Sequence, residues 1–269
     1  MTQRHLEGRT ALVTGSVQGI GLAVARELAK AGARVAVHGL ASLDVAKAAV
    51  AEITTADAAE VCFFDANMRD VAAIDAMMDA LEEWGPLDIV VNNAGIQKTA
   101  PIAEATPEIW DAIIAVNLSA AFHTMRRALP GMGARGFGRI INIASVHGLV
   151  ASKDKAPYVA SKFGLVGMSK VAALEYAAKG TRDSGGVTVN CIGPGWTETA
   201  IIEPQVAARA ADHGGDRDAG IASLLAEKQP SLRTSDPAEI GELAAWLCHR
   251  RAHNITGTTI PIDGGWTAQ

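Results

Sequence analysis

Residues 10–32 read TALVTGSVQGIGLAVARELAKAG, and the order of these residues decides the fold class. Ala11-Leu12-Val13 is a short apolar run that suits a buried strand. Thr14-Gly15-Ser16-Val17-Gln18-Gly19-Ile20-Gly21 follows it, and Leu22 to Ala31 is an amphipathic stretch closed by Gly32. Strand, tight turn and helix start therefore come in sequence. The free amides and the positive dipole end of the opening helix favour an anionic group there, a pyrophosphate above all.

The same alternation continues along the chain. Strands are predicted at Thr10–Val13, Arg34–Val37, Val61–Phe64, Leu87–Val91, Arg139–Ala144, Val187–Ile192 and Thr258–Ile262, with helical patterns between them. Such alternation implies right-handed crossovers and a parallel sheet covered on both faces, a Rossmann-like doubly wound α/β fold of about seven strands. Helix starts are marked by Thr106-Pro107-Glu108 and Asp236-Pro237-Ala238-Glu239. The one break is the long connection between the last two strands, residues 196–234. It reads as helical pieces around a glycine-rich stretch, and is expected to form a substrate lid. A surface excursion that serves only oligomer packing is the other reading.

A second constellation lies at SVHGLVASKDKAPYVASK, residues 145–162. Tyr158 and Lys162 are one helical turn apart and share a face. A phenol with a pKa of about 10 is a weak base, and a nearby ammonium favours its ionised form. The Ser145 hydroxyl can hold a carbonyl or alcohol oxygen. Taken alone, a tyrosine and lysine at this spacing are an ordinary surface pair. Downstream of a phosphate-binding loop, they are the parts that move a proton on and off an alcohol.

Composition narrows the class. The 269 residues are 49% hydrophobic and 4% aromatic, which points to an alanine- and valine-rich core in a single domain, 1–269. A net charge of −5 offers no basic surface for nucleic acid or anionic membrane. MTQRHLEGRT lacks a signal-peptide core and no apolar run approaches a membrane span, so a cytoplasmic protein is expected. Cys62, Cys191 and Cys248 are expected as small buried apolar residues, not as disulfides or metal ligands.

Gly15, Gly19 and Gly21, Asn92-Asn93-Ala94-Gly95, Asn117, Ser145, Tyr158 with Lys162, and Pro194-Gly195 occur in that order. In this the chain resembles the short-chain dehydrogenases/reductases, from about Gly8 to the C-terminus. The resemblance implies an oxidoreductase with Asn117, Ser145, Tyr158 and Lys162 as catalytic residues. It also implies cofactor contacts from Gly15, Ser16, Gln18, Gly19, Ile20, Gly21, Asp65, Asn93, Ala94, Gly95, Tyr158, Lys162, Pro194 and Gly195, and a homotetramer. Asp65 matches the family's adenine contact, though an acid at a strand end also serves to cap a turn.

Members that bind NADP place a lysine or arginine in the glycine loop or after the second strand. Ser16-Val17-Gln18 and His38-Gly39-Leu40-Ala41-Ser42 hold none. The acid that grips the ribose diol in NAD enzymes is absent there too, so NAD is favoured by subtraction.

Residues 92–102, 140–162, 224–233 and 255–269 resemble the branch of the family that oxidises D-3-hydroxybutyrate to acetoacetate. The resemblance implies substrate contacts from Gln97, Ser145, His147, Lys155, Tyr158, Gln205 and Trp266. An ammonium at Lys155 suits the carboxylate of a small 3-hydroxy acid, and Trp266 with Trp196 would wall off a methyl group. Singly, Lys155 reads as a solvated loop lysine, Gln205 as a surface residue and Trp266 as a packing anchor. A 3-oxoacyl reductase or a sugar or polyol dehydrogenase is the alternative within the family. A non-catalytic dinucleotide sensor is the alternative outside catalysis.

Overall fold

The computed structural model describes residues 4–54 and 60–268. Seven strands form one sheet: β1 Thr10–Val13, β2 Arg34–His38, β3 Val61–Phe64, β4 Ile89–Asn92, β5 Phe137–Ile143, β6 Gly186–Pro194 and β7 Thr259–Ile262. Each lies within a few residues of the stretch its apolar pattern predicts. The order is β3-β2-β1-β4-β5-β6-β7 and every pairing is parallel. The chain reverses direction across the sheet between β1 and β4. In such sheets the crevice beyond the carboxyl ends of the strands at this switch is where a ligand binds.

Strand periodicity divides the core. Ala11, Val13, Val35, Val37, Ile89 and Val91 point to one face, with α1 (Gly19–Lys30), α2 (Leu43–Ile53) and later α9 (Pro237–Leu247). Leu12, Ala36, Val90 and Ile140 point to the other, against α3 (Val71–Trp84), α5 (Ala120–Arg135) and α6 (Ala156–Tyr176). These strand side chains are fully buried, so truncating one such as Leu12 to alanine costs about 2–5 kcal/mol.

Helix starts follow local chemistry. Asp70 accepts from the amides of Ala72 and Ala73, and Asp236 from that of Ala238. α4 (Pro107–Ile114) begins where Thr106-Pro107 predicts, but Thr106 makes no hydrogen bond to the helix amides. Its hydroxyl bonds the Glu108 carboxylate instead, and that holds the Glu108 pKa below its usual value.

The long connection folds into α7 (Glu203–Ala211) and α8 (Arg217–Lys228), which pack on each other. A parallel bridge between Thr197 and Ser235 closes its base. Cys191 and Cys248 are buried as expected, but Cys62 is only half-buried. It lies on β3, the edge strand, where its thiol is 3.6 Å from the Glu60 carboxylate.

Candidate active site

The carboxyl ends of β1, β2, β4, β5 and β6 border a cleft of about 490 Å³. One end is built by the glycine loop. Gly15 has φ +63°, and a Cβ there would lie 2.9 Å from Ala94 Cα. A Cβ on Gly21 would lie 2.3 Å from the Gly15 carbonyl oxygen and 2.4 Å from Asn93 Nδ2. Asn93 is the clamp: its Nδ2 donates to the carbonyls of Thr14 and Gly15, both at 2.9 Å. Thr14 Oγ1 returns the contact by accepting from the amides of Asn93 and Ala94, both at 3.0 Å. The two motifs are therefore one structure, which holds the N-terminus of α1 open to the cleft. A backbone so closely approached, with helix amides behind it, fits a dinucleotide's pyrophosphate.

Gly15, Gln18, Gly19, Ile20, Asn93, Ala94, Gly95, Tyr158, Lys162, Pro194 and Gly195 all line this cleft or, like Gly21, shape its loop. Two expected cofactor residues do not line it. Ser16 is fully buried, its hydroxyl donating to Val13 O at 2.7 Å and accepting from His38 N at 3.0 Å. The protein itself uses both of its polar functions. Asp65 is exposed at the end of β3, and the cleft is lined by the four residues after it, Ala66, Asn67, Met68 and Arg69.

The other end of the cleft carries Ser145, Tyr158 and Lys162. Ser145 follows β5. Tyr158 and Lys162 stand one turn apart on α6, with Lys162 Nζ 5.6 Å from the phenol ring centroid. Lys162 donates to Ile143 O at 2.8 Å, and burial pushes its pKa down to about 8. The Tyr158 pKa is raised, not lowered, because burial outweighs the hydrogen bond from Ser145. The expected depression of the phenol is thus missing from this site: Lys162 lies over the ring face, and the enclosed cleft disfavours charge on the hydroxyl.

Asn117 sits in a π-helical turn, Ala115–Ser119, between α4 and α5. Its Oδ1 accepts from Ile96 N at 2.8 Å and its Nδ2 donates to Ile96 O at 2.9 Å, so it fixes the loop after β4. A second, small space behind the cleft is lined by Asn92, Asn117 and Lys162.

Beside Tyr158 lies the cluster expected from residues 145–162. His147 is edge-on to both Tyr158 and Trp266, at 5.9 and 5.4 Å between ring centroids. Trp266 packs against Trp196 at 5.8 Å. Lys155, the residue before α6, is 8% exposed, and its Nζ lies 5.1 Å from the Trp196 ring centroid. It makes no salt bridge among the described residues. Burial pushes its pKa down to about 8, opposed by Glu227 of α8. His147 is held neutral, its pKa pushed down to about 3 by burial and by the Lys155 and Lys228 cations. Two buried polar atoms of this cluster, His147 Nε2 and Trp196 Nε1, have no partner.

Gln97 and Gln205 are half-buried, on the loop after β4 and on α7. Among the described residues neither amide is hydrogen-bonded to the cluster. Ala100 N donates to Asp154 O at 2.8 Å, which brings the Gln97 loop alongside Lys155.

The 196–234 segment contributes more than its sequence signals. Thr197, Thr199, Ala200, Ile201 and Ile202 line the cleft. Ile202, Val206, Leu224 and Leu225 of the helical part pack with Trp196 and Trp266 in one apolar cluster. Gln229, 1% exposed, accepts from Trp196 N at 3.0 Å and anchors the segment's far end. Only a buried amide's need for partners could have singled it out.

A model of the short chain dehydrogenase family matches residues 9–210. The chain belongs to that family. Within it, D-beta-hydroxybutyrate dehydrogenase of Cupriavidus necator is 48% identical over 265 residues, covering 98% of this chain and 100% of that one. The protein of the same name from Rhizobium meliloti is 43% identical over 262 residues, covering 97% and 99%. A crystal structure from Beutenbergia cavernae, assigned as an NAD(P)-dependent gluconate 5-dehydrogenase and holding NADP at low occupancy, superposes with a TM-score of 0.86. It is 33% identical, with 98% of each chain covered. As a short-chain dehydrogenase the protein is an oxidoreductase that binds a nicotinamide dinucleotide.

Proposed function

We propose that this chain is an NAD-dependent dehydrogenase that interconverts D-3-hydroxybutyrate and acetoacetate. The observation that carries the reading is Lys155: an enclosed ammonium that makes no salt bridge among the described residues, against Trp196 and one helical turn from Tyr158. A cation in such surroundings suits a small anionic substrate, and the paired indoles of Trp196 and Trp266 leave an apolar wall for a methyl group. The two relatives named for this activity, matched over nearly their whole length, support it.

Lys155 binds the substrate carboxylate, with the amides of Gln97 and Gln205 and the His147 imidazole as neutral partners. Ser145 donates to the 3-oxygen. Tyr158 takes the hydroxyl proton, with the Ser145 hydrogen bond favouring its ionised form and Lys162 held over its ring. When bound, NAD supplies the hydride acceptor. Asn117 holds the loop after β4, and the small space it shares with Lys162 suits a water that returns the proton to bulk. The domain, 1–269, uses residues 196–234 as its lid.

We also carry over the homotetramer and a cytoplasmic location. Phe163, Val171 and Leu174 leave an exposed apolar row on α6 where copies can meet. No helix of the described residues is long and apolar enough to cross a membrane. The test of the activity is NADH fluorescence with a panel of short 3-hydroxy acids, polyols and 3-oxoacyl thioesters. Turnover is expected with D-3-hydroxybutyrate, and a preference for polyols would overturn the assignment.

A further inference from the structure

His38 is the last residue of β2, the place where many dinucleotide-binding sheets carry an acid for the ribose hydroxyls. It is 2% exposed and lines the cleft. Both ring nitrogens are engaged. Nδ1 accepts from Gly15 N at 3.0 Å, and Nε2 lies 3.0 Å from Ala66 O. An amide N–H can only donate and a carbonyl can only accept, so the proton sits on Nε2 and the imidazole is neutral. The backbone adds to the tie: His38 N donates to Ser16 Oγ at 3.0 Å, and His38 O accepts from Ser16 N at 2.8 Å. One side chain thus joins the glycine loop after β1 to the loop after β3, and both loops line the same end of the cleft.

We infer that neutral His38 is a positioning residue for the adenosine half of the dinucleotide, and that charging it releases the cofactor. The proposal rests on the dinucleotide-binding reading above. A proton on Nδ1 would turn an acceptor into a donor facing the Gly15 N–H, and two buried donors head to head cannot both be satisfied. The glycine loop would then lose its register with β2 and β3.

The charged surroundings are few. Thr14–Gly21 carries no ionisable group, and the positive end of α1 opposes a second positive charge. The loop after β3 brings Asp65, which favours charging, and Arg69, which lines the same cleft. Arg34 on β2 is paired with Glu60 at 2.7 Å. Burial outweighs Asp65 and the Ala66 carbonyl, and keeps the His38 pKa below 6.5.

The test uses ADP-ribose, which lacks the nicotinamide ring and so does not depend on Tyr158, Lys162 or Lys155. Its affinity is measured by calorimetry from pH 8 to pH 5. The wild type is expected to bind with constant affinity above pH 6.5. Below the His38 pKa, affinity should fall toward about tenfold per pH unit.

His38→Asn keeps an acceptor for Gly15 and cannot titrate. It should bind roughly 3–10-fold more weakly at pH 8, the effect of one neutral hydrogen bond, with a flat profile. Wild-type affinity in His38→Asn, or retention of the acid slope, would overturn the proposal. If that variant does not fold, nitrogen NMR of the wild-type histidines decides. His38 must carry its proton on Nε2 at neutral pH, and its protonation midpoint must coincide with the loss of ADP-ribose. An Nδ1–H tautomer or a separate midpoint would overturn it. Failure to bind ADP-ribose at every pH overturns the dinucleotide reading instead, and the NMR tautomer still decides whether His38 braces the loops.

Discussion

Lys162 donates to the Ile143 carbonyl at 2.8 Å and lays its ammonium over the Tyr158 ring, 5.6 Å from the centroid. The lysine is therefore fixed by the end of β5, so the geometry of the pair depends on the sheet as well as on α6. In the enclosed cleft, burial lowers the lysine's pKa and raises the phenol's. The charged pair is costly here until an ionised partner enters.

Tyr158→Phe keeps the ring and its packing against His147 while removing the proton acceptor. Turnover is expected to fall by about 100-fold or more. NADH binding, followed by fluorescence, should survive. Turnover near that of the wild type would sink the acid–base assignment.

Gly21→Ala probes the joint between the glycine loop and Asn93. The new Cβ would meet the Gly15 carbonyl at 2.3 Å and Asn93 Nδ2 at 2.4 Å, atoms that already bond each other. Overpacking of this kind costs about 1–3 kcal/mol. Melting with and without NADH should show a lowered Tm and loss of the cofactor-induced rise. An intact rise would mean that the loop is not where the dinucleotide binds.

The parallel sheet and its crossovers were legible because strand and helix periods alternate cleanly, and because Gly15, Gly21 and Asn93 have steric roles that few other residues can fill. Ser145, Tyr158, Lys162, His147, Lys155 and Trp266 were legible because one stretch and the C-terminus carry them. The inward turn of the Ser16 hydroxyl was not legible, because a loop serine can face either the ligand or the strand end and sequence does not say which. The place of Asp65 was not legible either: it is exposed, and the lining of the cleft begins one residue later, where the chain has left β3. His38 and Gln229 were not legible as site elements. Their roles arise from carbonyls and amides that are distant in sequence, such as Ala66 and Trp196.

Cofactor choice turns on the cations near the adenosine end. Arg34 is committed to Glu60 and stacks on Trp84, its guanidinium carbon 4.2 Å from the ring centroid. Among the described residues lining the cleft the cations are Arg69 and Lys162, and no carboxylate lines it. NAD should exceed NADP in kcat/KM, since neither the glycine loop nor the end of β2 offers a charge to a 2′-phosphate. Any residual NADP activity is expected to come from Arg69, so Arg69→Gln should lower kcat/KM for NADP more than for NAD. Equal losses would assign Arg69 to the part that the two cofactors share.

Lys155 is where the substrate assignment is most exposed to test. Its pKa is pushed down to about 8 by burial, so the ammonium is present below that pH and lost above it. A bound carboxylate favours the charged form and so binds best at the lower pH. KM for 3-hydroxybutyrate should therefore rise as pH passes upward through about 8, while KM for a neutral secondary alcohol of similar size should not. Lys155→Ala removes one partner of an enclosed charge pair, typically a loss of about 2–5 kcal/mol. That loss should appear in kcat/KM for the acid and much less for the neutral alcohol. The variant should also lose the rise in KM above pH 8. Equal losses for both substrates would make Lys155 a support for Tyr158 and remove the main physical ground for a hydroxy-acid substrate. No loss for either would leave it as a lysine packed on Trp196 with no part in binding.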